Sequence, residues 1–168
     1  MYFAQFPLYE YDLKNNEQRT LITDILRRVN LRTNVSANTL IFDEYTVEDG
    51  ETPDIVATKY YGNPMYHWVI VTVNNITSQY DWPLDQVALT QYVQDKYSDV
   101  NGIHHYEVNA SSGDTTKKLI VSSDTVGAVA VTNYENEQTL NDNKRTIRLL
   151  DRAYVLQFKE EFEKLIQR

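Results

Sequence analysis

Six acids fall within twelve residues: Asp43, Glu44, Glu48, Asp49, Glu51 and Asp54, with no base among them. Carboxylates in that density could hold Ca²⁺, but the ligand order of a twelve-residue calcium loop is absent. A solubilising face or an acidic docking edge is the expectation. The three imidazoles are His67, His104 and His105. His104 and His105 are neighbours in an expected strand, so they should point to opposite faces and not share one ion. His67 sits beside Trp68, where a packed or capping role is expected. No Gly-rich phosphate loop, Gly-x-Ser-x-Gly elbow or His-Glu-x-x-His pair occurs, and there is no Cys. No catalytic constellation emerges, and no enzyme, metal site or cofactor is expected.

The acids surround the stretch that organises the chain. Asp49-Gly50 is a turn dipeptide at the end of a strand expected over Leu40–Val47. Thr52 is placed to cap a helix with its hydroxyl, Pro53 fits the first helical position, and Asp54 favours the positive end of the helix dipole. Gly62 ends that helix, and Asn63-Pro64 starts another at once. Trp68-Val-Ile-Val-Thr-Val73 is β-branched, yet Met65, Trp68, Val69, Thr72 and Val73 keep helical spacing, so a second helix is predicted with Trp68 as its core anchor. Asn74-Asn75 closes it. Pro83 and Asp85 open a third helix over 85–97.

Tyr45-Thr-Val47, Gly50, Thr52 and Ile55-Val56-Ala57 resemble the opening of a LysM module, a strand–helix–helix–strand unit. With Tyr60-Tyr-Gly-Asn-Pro64, Tyr66, Trp68, Asn74-Asn75 and Tyr80-Asp-Trp-Pro-Leu84, the chain resembles the LysM-containing baseplate wedge proteins of contractile-tailed bacteriophages. The resemblance covers residues 6–97 and 144–168. It implies a structural subunit made in the host cytoplasm and carried in the virion tail baseplate. There it would bind other baseplate wedge proteins, as part of a hetero-oligomer, and help join wedges into a six-fold ring. A LysM-type module that recognises peptidoglycan is the alternative, with a sugar groove at Asp49, Gly50, Glu51, Thr52 and Tyr80. Against it, Trp82-Pro83-Leu84 stands where the Pro-Gly-Gln signature of a LysM second strand belongs.

The flanks read as appendages. Tyr2, Phe3, Phe6, Tyr9 and Tyr11 form an aromatic arm that either pads the core or lies on a neighbouring subunit. Leu21, Ile22, Ile25, Leu26 and Val29 predict a helix over 17–32. Arg27 and Arg28 are either solvated or part of an ion-pairing surface, and a polar connection follows at 33–39. Residues 98–143 are polar; strands at 104–108 and 118–121 joined by Ser112-Gly113-Asp114 predict a hairpin, with a third strand over 126–131 and a loop over 133–143. That element is either a partner-specific protrusion or a tolerated insertion. Arg145–Leu150 reads as a strand, Asp151 as a cap, and 152–167 as a helix striped by Val155, Phe158, Phe162 and Leu165. The stripe is core or docking face. The expected organisation is α+β: an arm with a short helix (1–39), a LysM-like core with an extra helix (40–97), an inserted β element (98–143) and a C-terminal strand and helix (144–168).

A net charge of −8 argues against nucleic acid, whose binding rests on Lys and Arg releasing counterions, and against an anionic membrane surface. No apolar run reaches the roughly 18 residues of a membrane span. The first ten residues lack a basic region and do not read as a signal peptide.

Overall fold

The computed structural model describes residues 2–15, 17–29, 39–110 and 117–167. The chain is α+β and divides into two units. The first comprises residues 1–47, 51–81 and 147–168; the second comprises 48–50 and 82–146.

In the first unit, a 3-10 helix over Tyr2–Gln5 leads into strand β1 (Leu8–Tyr11), which pairs antiparallel with β2 (Thr20–Thr23). The helix predicted over 17–32 is therefore corrected: 20–23 is extended, and Ile25-Leu26 turns away from it. The apolar spacing is helical, but β1 supplies a pairing partner that local spacing cannot reveal. Asp24 makes the turn, accepting from the Leu26 amide at 3.3 Å. Residues 30–32 and nearly all of the connection at 33–39 lie outside the described residues.

Strand β3 (Phe42–Thr46) is followed by helix α1 (Pro53–Tyr61). Pro53 is in its first turn, and Gly62 closes it at φ 74°, a left-handed conformation cheap only for glycine. Thr52 holds the N-cap position, but its hydroxyl makes no capping bond; it donates to the Asp54 carboxylate at 2.5 Å. The expected cap bond is corrected accordingly: the hydroxyl is oriented by its charge-assisted bond to Asp54, and in that orientation its oxygen accepts from no first-turn amide. The second start signal works as read, with Asn63 Oδ1 accepting from the Met65 amide at 2.9 Å. A 3-10 turn over Pro64–Tyr66 runs into α2 (His67–Val73). The β-branched run is thus helical, because Trp68, Val69, Ile70 and Val73 all bury there.

The partner of β3 comes from the far end of the chain. It is β7 (Thr146–Leu150), and not the stretch around Trp82-Pro83. Asn74 ties α2 to β7: its side chain accepts from the Arg148 amide at 2.9 Å and donates to the Arg148 carbonyl at 2.7 Å. Asp151 then caps a 3-10 turn through the Ala153 amide, and α5 (Val155–Ile166) ends the chain. Phe6, Trp68, Val69, Val73, Leu150, Val155, Phe162 and Ile166 form one buried cluster, each large apolar side chain contributing about 1.5–3 kcal/mol.

The second unit contains α3 (Gln86–Lys96), capped by Asp85 through the Ala88 amide at 2.8 Å. Strands β4 (Ile103–Asn109), β5 (Lys118–Val121) and β6 (Val129–Thr132) form a sheet in the order β5-β4-β6, with both pairs antiparallel. The predicted Ser112-Gly113-Asp114 turn lies outside the described residues. The loop predicted over 133–143 is corrected to a helix, α4 (Asn133–Asp142). Its start signal was present as Thr132-Asn-Tyr-Glu135, a capping box in which each side chain satisfies the other residue's amide.

Candidate functional site

The acidic run offers no common site. Glu51 is buried and engaged: Lys59 Nζ lies 2.5 Å from its carboxylate, and the Tyr45 hydroxyl donates to both oxygens at 3.0 Å. Asp43 accepts from the Tyr60 hydroxyl, and burial together with that carboxylate pushes the Tyr60 phenol up. Within the second unit, Asp49 pairs with Arg145 at 3.1 Å, and Arg145 also holds Asp142 at 3.0 Å. Of the residues assigned to a sugar groove, Gly50 makes the turn at φ 77°, Thr52 serves Asp54, and Tyr80 is exposed in a 3-10 turn over Gln79–Asp81.

The histidines require a correction. A register shift between Ile103 and His105 interrupts the β4–β6 ladder, so the two adjacent side chains do not diverge. His104 Nδ1 and His105 Nδ1 meet at 2.8 Å, one as donor and the other as acceptor. Among the described residues, no group of three His, Cys, Asp or Glu is placed to hold a metal ion. His67 bonds the Pro64 carbonyl at 3.0 Å, inside its own turn.

What remains is surface. The 3-10 helix turns Tyr2 and Phe6 inward: Tyr2 stacks on Trp68 at 5.6 Å and meets Phe6 edge-on at 5.0 Å. Burial pushes the Tyr2 phenol up, opposed by the charge of Arg28. Phe3 stays exposed. Beyond Pro7 the pattern changes completely. In the β1–β2 ribbon, Leu8 faces Thr23, Tyr9 faces Ile22, Glu10 faces Leu21 and Tyr11 faces Thr20. Directly opposed residues share a face, so Leu8 and Leu21 lie on one side and Tyr9, Tyr11 and Ile22 on the other. All five are exposed, Leu8 at 64% and Leu21 at 61%. Leu13, Ile25 and Leu26, next to the ribbon in sequence, are exposed as well. Soluble surfaces rarely gather so many large apolar side chains without a partner.

The remaining interface expectations distribute unevenly. Val155 and Phe162 are in the core cluster and Phe158 packs against it, stacked on Trp68 at 5.7 Å. Leu165 and Leu156 of the same helix are exposed. Arg27 is tied to Asp24 at 3.0 Å and to the Ile166 carbonyl at 3.3 Å, where its charge suits the negative end of α5. Arg28 donates to Asn75 at 3.0 Å. Ile166, a core residue, was missed by the sequence reading although it falls four residues after Phe162, on the same helix face.

No curated protein matches the chain at a significant level. The family model for "Base plate wedge protein 53" matches residues 1–126, three quarters of the 168 residues, and takes in the ribbon, β3, α1, α2 and α3. On that match the chain belongs to the family of phage base plate wedge protein 53.

Proposed function

We propose that the chain is a wedge subunit that binds neighbouring wedge proteins through its N-terminal ribbon and helps join wedges into a six-fold ring. Family membership makes it a structural component of the virion's tail baseplate, associated with other baseplate proteins. The observation that carries the finer reading is the β1–β2 ribbon. A two-stranded ribbon is marginal by itself, and this one exposes apolar side chains on both faces. A neighbouring subunit laid over it would bury both faces, as interface cores do. Phe3, Tyr9 and Tyr11 belong to that surface, with Leu165 as a second exposed apolar position.

The order β3-α1-α2, with β3 paired to β7, supports reading residues 42–73 and 146–150 as a LysM-like unit interrupted by a long insertion. In this reading the unit is a docking block. Peptidoglycan recognition draws less support, because the Glu51 carboxylate is enclosed by Lys59 and Tyr45.

The test is a Tyr9→Ser/Leu21→Ser double variant, followed into virus particles by quantitative mass spectrometry. The wild-type chain should be present in a multiple of six copies. The variant should melt like the wild type and be depleted from particles about tenfold or more, as loss of interface anchors implies. Normal copy number for the variant would sink the ribbon as the interface.

A further inference from the structure

His104 and His105 have no part in the assembly role, yet the second unit holds them in a demanding arrangement. Neighbouring residues of a regular strand point to opposite faces. Here the irregularity between Ile103 and His105 brings the two rings together. Their centroids lie 5.1 Å apart with the planes at 83°, and the two Nδ1 atoms meet at 2.8 Å. That contact needs a hydrogen on one nitrogen and a lone pair on the other. It holds when both rings are neutral, and it holds when the donor ring alone is charged. Once both rings are charged, each Nδ1 carries a hydrogen, no lone pair is left between them, and the bond cannot exist. The groups around the pair are already engaged. His105 Nε2 lies 4.0 Å from Glu107 Oε2, and Glu107 also faces Lys118 of β5 at 3.6 Å. Glu137 of α4 feels the charge of His104, but it is held by Lys96 at 2.8 Å and by the Tyr97 hydroxyl at 2.7 Å. Tyr97 stands edge-on to His104 at 6.4 Å. Strand β6, Val129-Ala-Val-Thr132, brings no titratable side chain. Two carboxylates thus face the pair, and each already has a lysine.

We infer that the His104–His105 pair is a proton-operated latch on the bulge between β4 and β6. The latch is closed while the rings share a hydrogen and opens when both are charged. The bulge lies beside a junction, which gives the opening a consequence. Ile103 is opposite Thr132 and His105 is opposite Val131. Thr132 is the cap of α4, and the amide of Asn133, the first residue of that helix, donates to the Gly102 carbonyl at 2.9 Å. Parting the rings therefore loosens the ladder where β6 hands over to α4. Imidazole is the side chain whose charge changes between about pH 8 and pH 5. Protons are taken up as pH falls, so the latch is closed at the upper end of that range and open at the lower.

The experiment is nuclear magnetic resonance on the full-length chain labelled with nitrogen-15, titrated downward from about pH 8 to pH 5. Long-range proton–nitrogen spectra report which ring nitrogens carry hydrogen, and amide spectra follow Val131, Thr132 and Asn133. At the upper pH the two rings should carry one hydrogen between their Nδ1 atoms. The three amides should then move together with the step that puts hydrogen on both Nδ1 atoms. In His104→Gln and in His105→Gln that movement should be lost, because a single imidazole has no partner to part from. The wild-type ring spectra decide by themselves if either variant fails to fold. Hydrogen on Nε2 of both rings at the upper pH would overturn the inference, since neither Nδ1 could then donate. So would amides that stay still while both rings become charged, or that move as far in the variants as in the wild type.

Discussion

Residues 2–6 and residues 8–26 carry the same kinds of side chain and meet opposite fates. In the first stretch Tyr2 and Phe6 enter a cluster with Trp68 and Phe162. In the second, Leu8, Tyr9, Tyr11, Leu21 and Leu26 face solvent. Hydrophobicity does not separate them. Geometry does: the 3-10 turn brings Tyr2 and Phe6, though not Phe3, onto a surface that α2 and α5 already offer. A two-stranded ribbon has two faces, and the described residues supply a cover for neither. The first stretch therefore serves the fold, whereas the second leaves its large apolar side chains exposed.

The sharpest way to break this comparison is to delete one ring from each side. Phe162→Ala should cost about 3–5 kcal/mol in urea unfolding, because it opens a cavity beside Trp68, whose ring centroid is 4.6 Å away. Leu21→Ser should change stability by about 0.5 kcal/mol or less, as surface substitutions do. Comparable losses at the two positions would mean that the ribbon is part of the fold after all.

The second unit extends the comparison, since buried polar groups act as its anchors. Glu137 is buried and accepts from Lys96 at 2.8 Å and Tyr97 at 2.7 Å; Asn141 bonds both the amide and the carbonyl of Leu84, at 2.7 and 2.9 Å. Burial by itself would raise the Glu137 carboxyl, but the bonds from Lys96 and Tyr97 outweigh it and hold it below the usual 4.5. A carboxylate depressed in the folded state contributes stability above its unfolded value and loses it as pH falls through the folded one. Thermal denaturation should therefore show wild type losing stability below about pH 4.5 more steeply than Glu137→Gln, which has no proton to take up there. Parallel pH profiles for the two proteins would remove Glu137 as an electrostatic anchor.

The smallest effect contrasts two helix starts. Asp85→Ala removes a real cap and should cost about 1 kcal/mol, while Thr52→Ala, whose hydroxyl caps nothing, should cost about 0.5 kcal/mol or less. Equal losses in chemical denaturation would show that position alone, and not the bond, sets the cost.

Local signals were legible wherever the cause lies within a few residues. Pro53, Gly62, Asn63-Pro64, Asp85 and Asp151 mark helix starts and stops that the structure reproduces. The capping box Thr132–Glu135 was equally local and was passed over because the segment is polar, with only Tyr134 and Leu140 as large apolar residues. The adjacent histidines were misjudged because a bulge, which no single-strand pattern encodes, removes the alternation.

By itself the sequence determined helices α1, α2, α3 and α5, the absence of cysteine and the family likeness centred on Tyr45–Trp82, because capping, backbone dihedrals and residue identity act over four or five positions. Only the tertiary structure decided that β7 closes onto β3, that residues 20–23 are extended, that the stripe of α5 fills the core as far as Phe162 and Ile166, and that no described residue covers the apolar side chains of the ribbon. Those outcomes depend on which surfaces meet across the whole chain. Strand pairing and burial are contests between distant segments, and a residue's own neighbours do not hold the result.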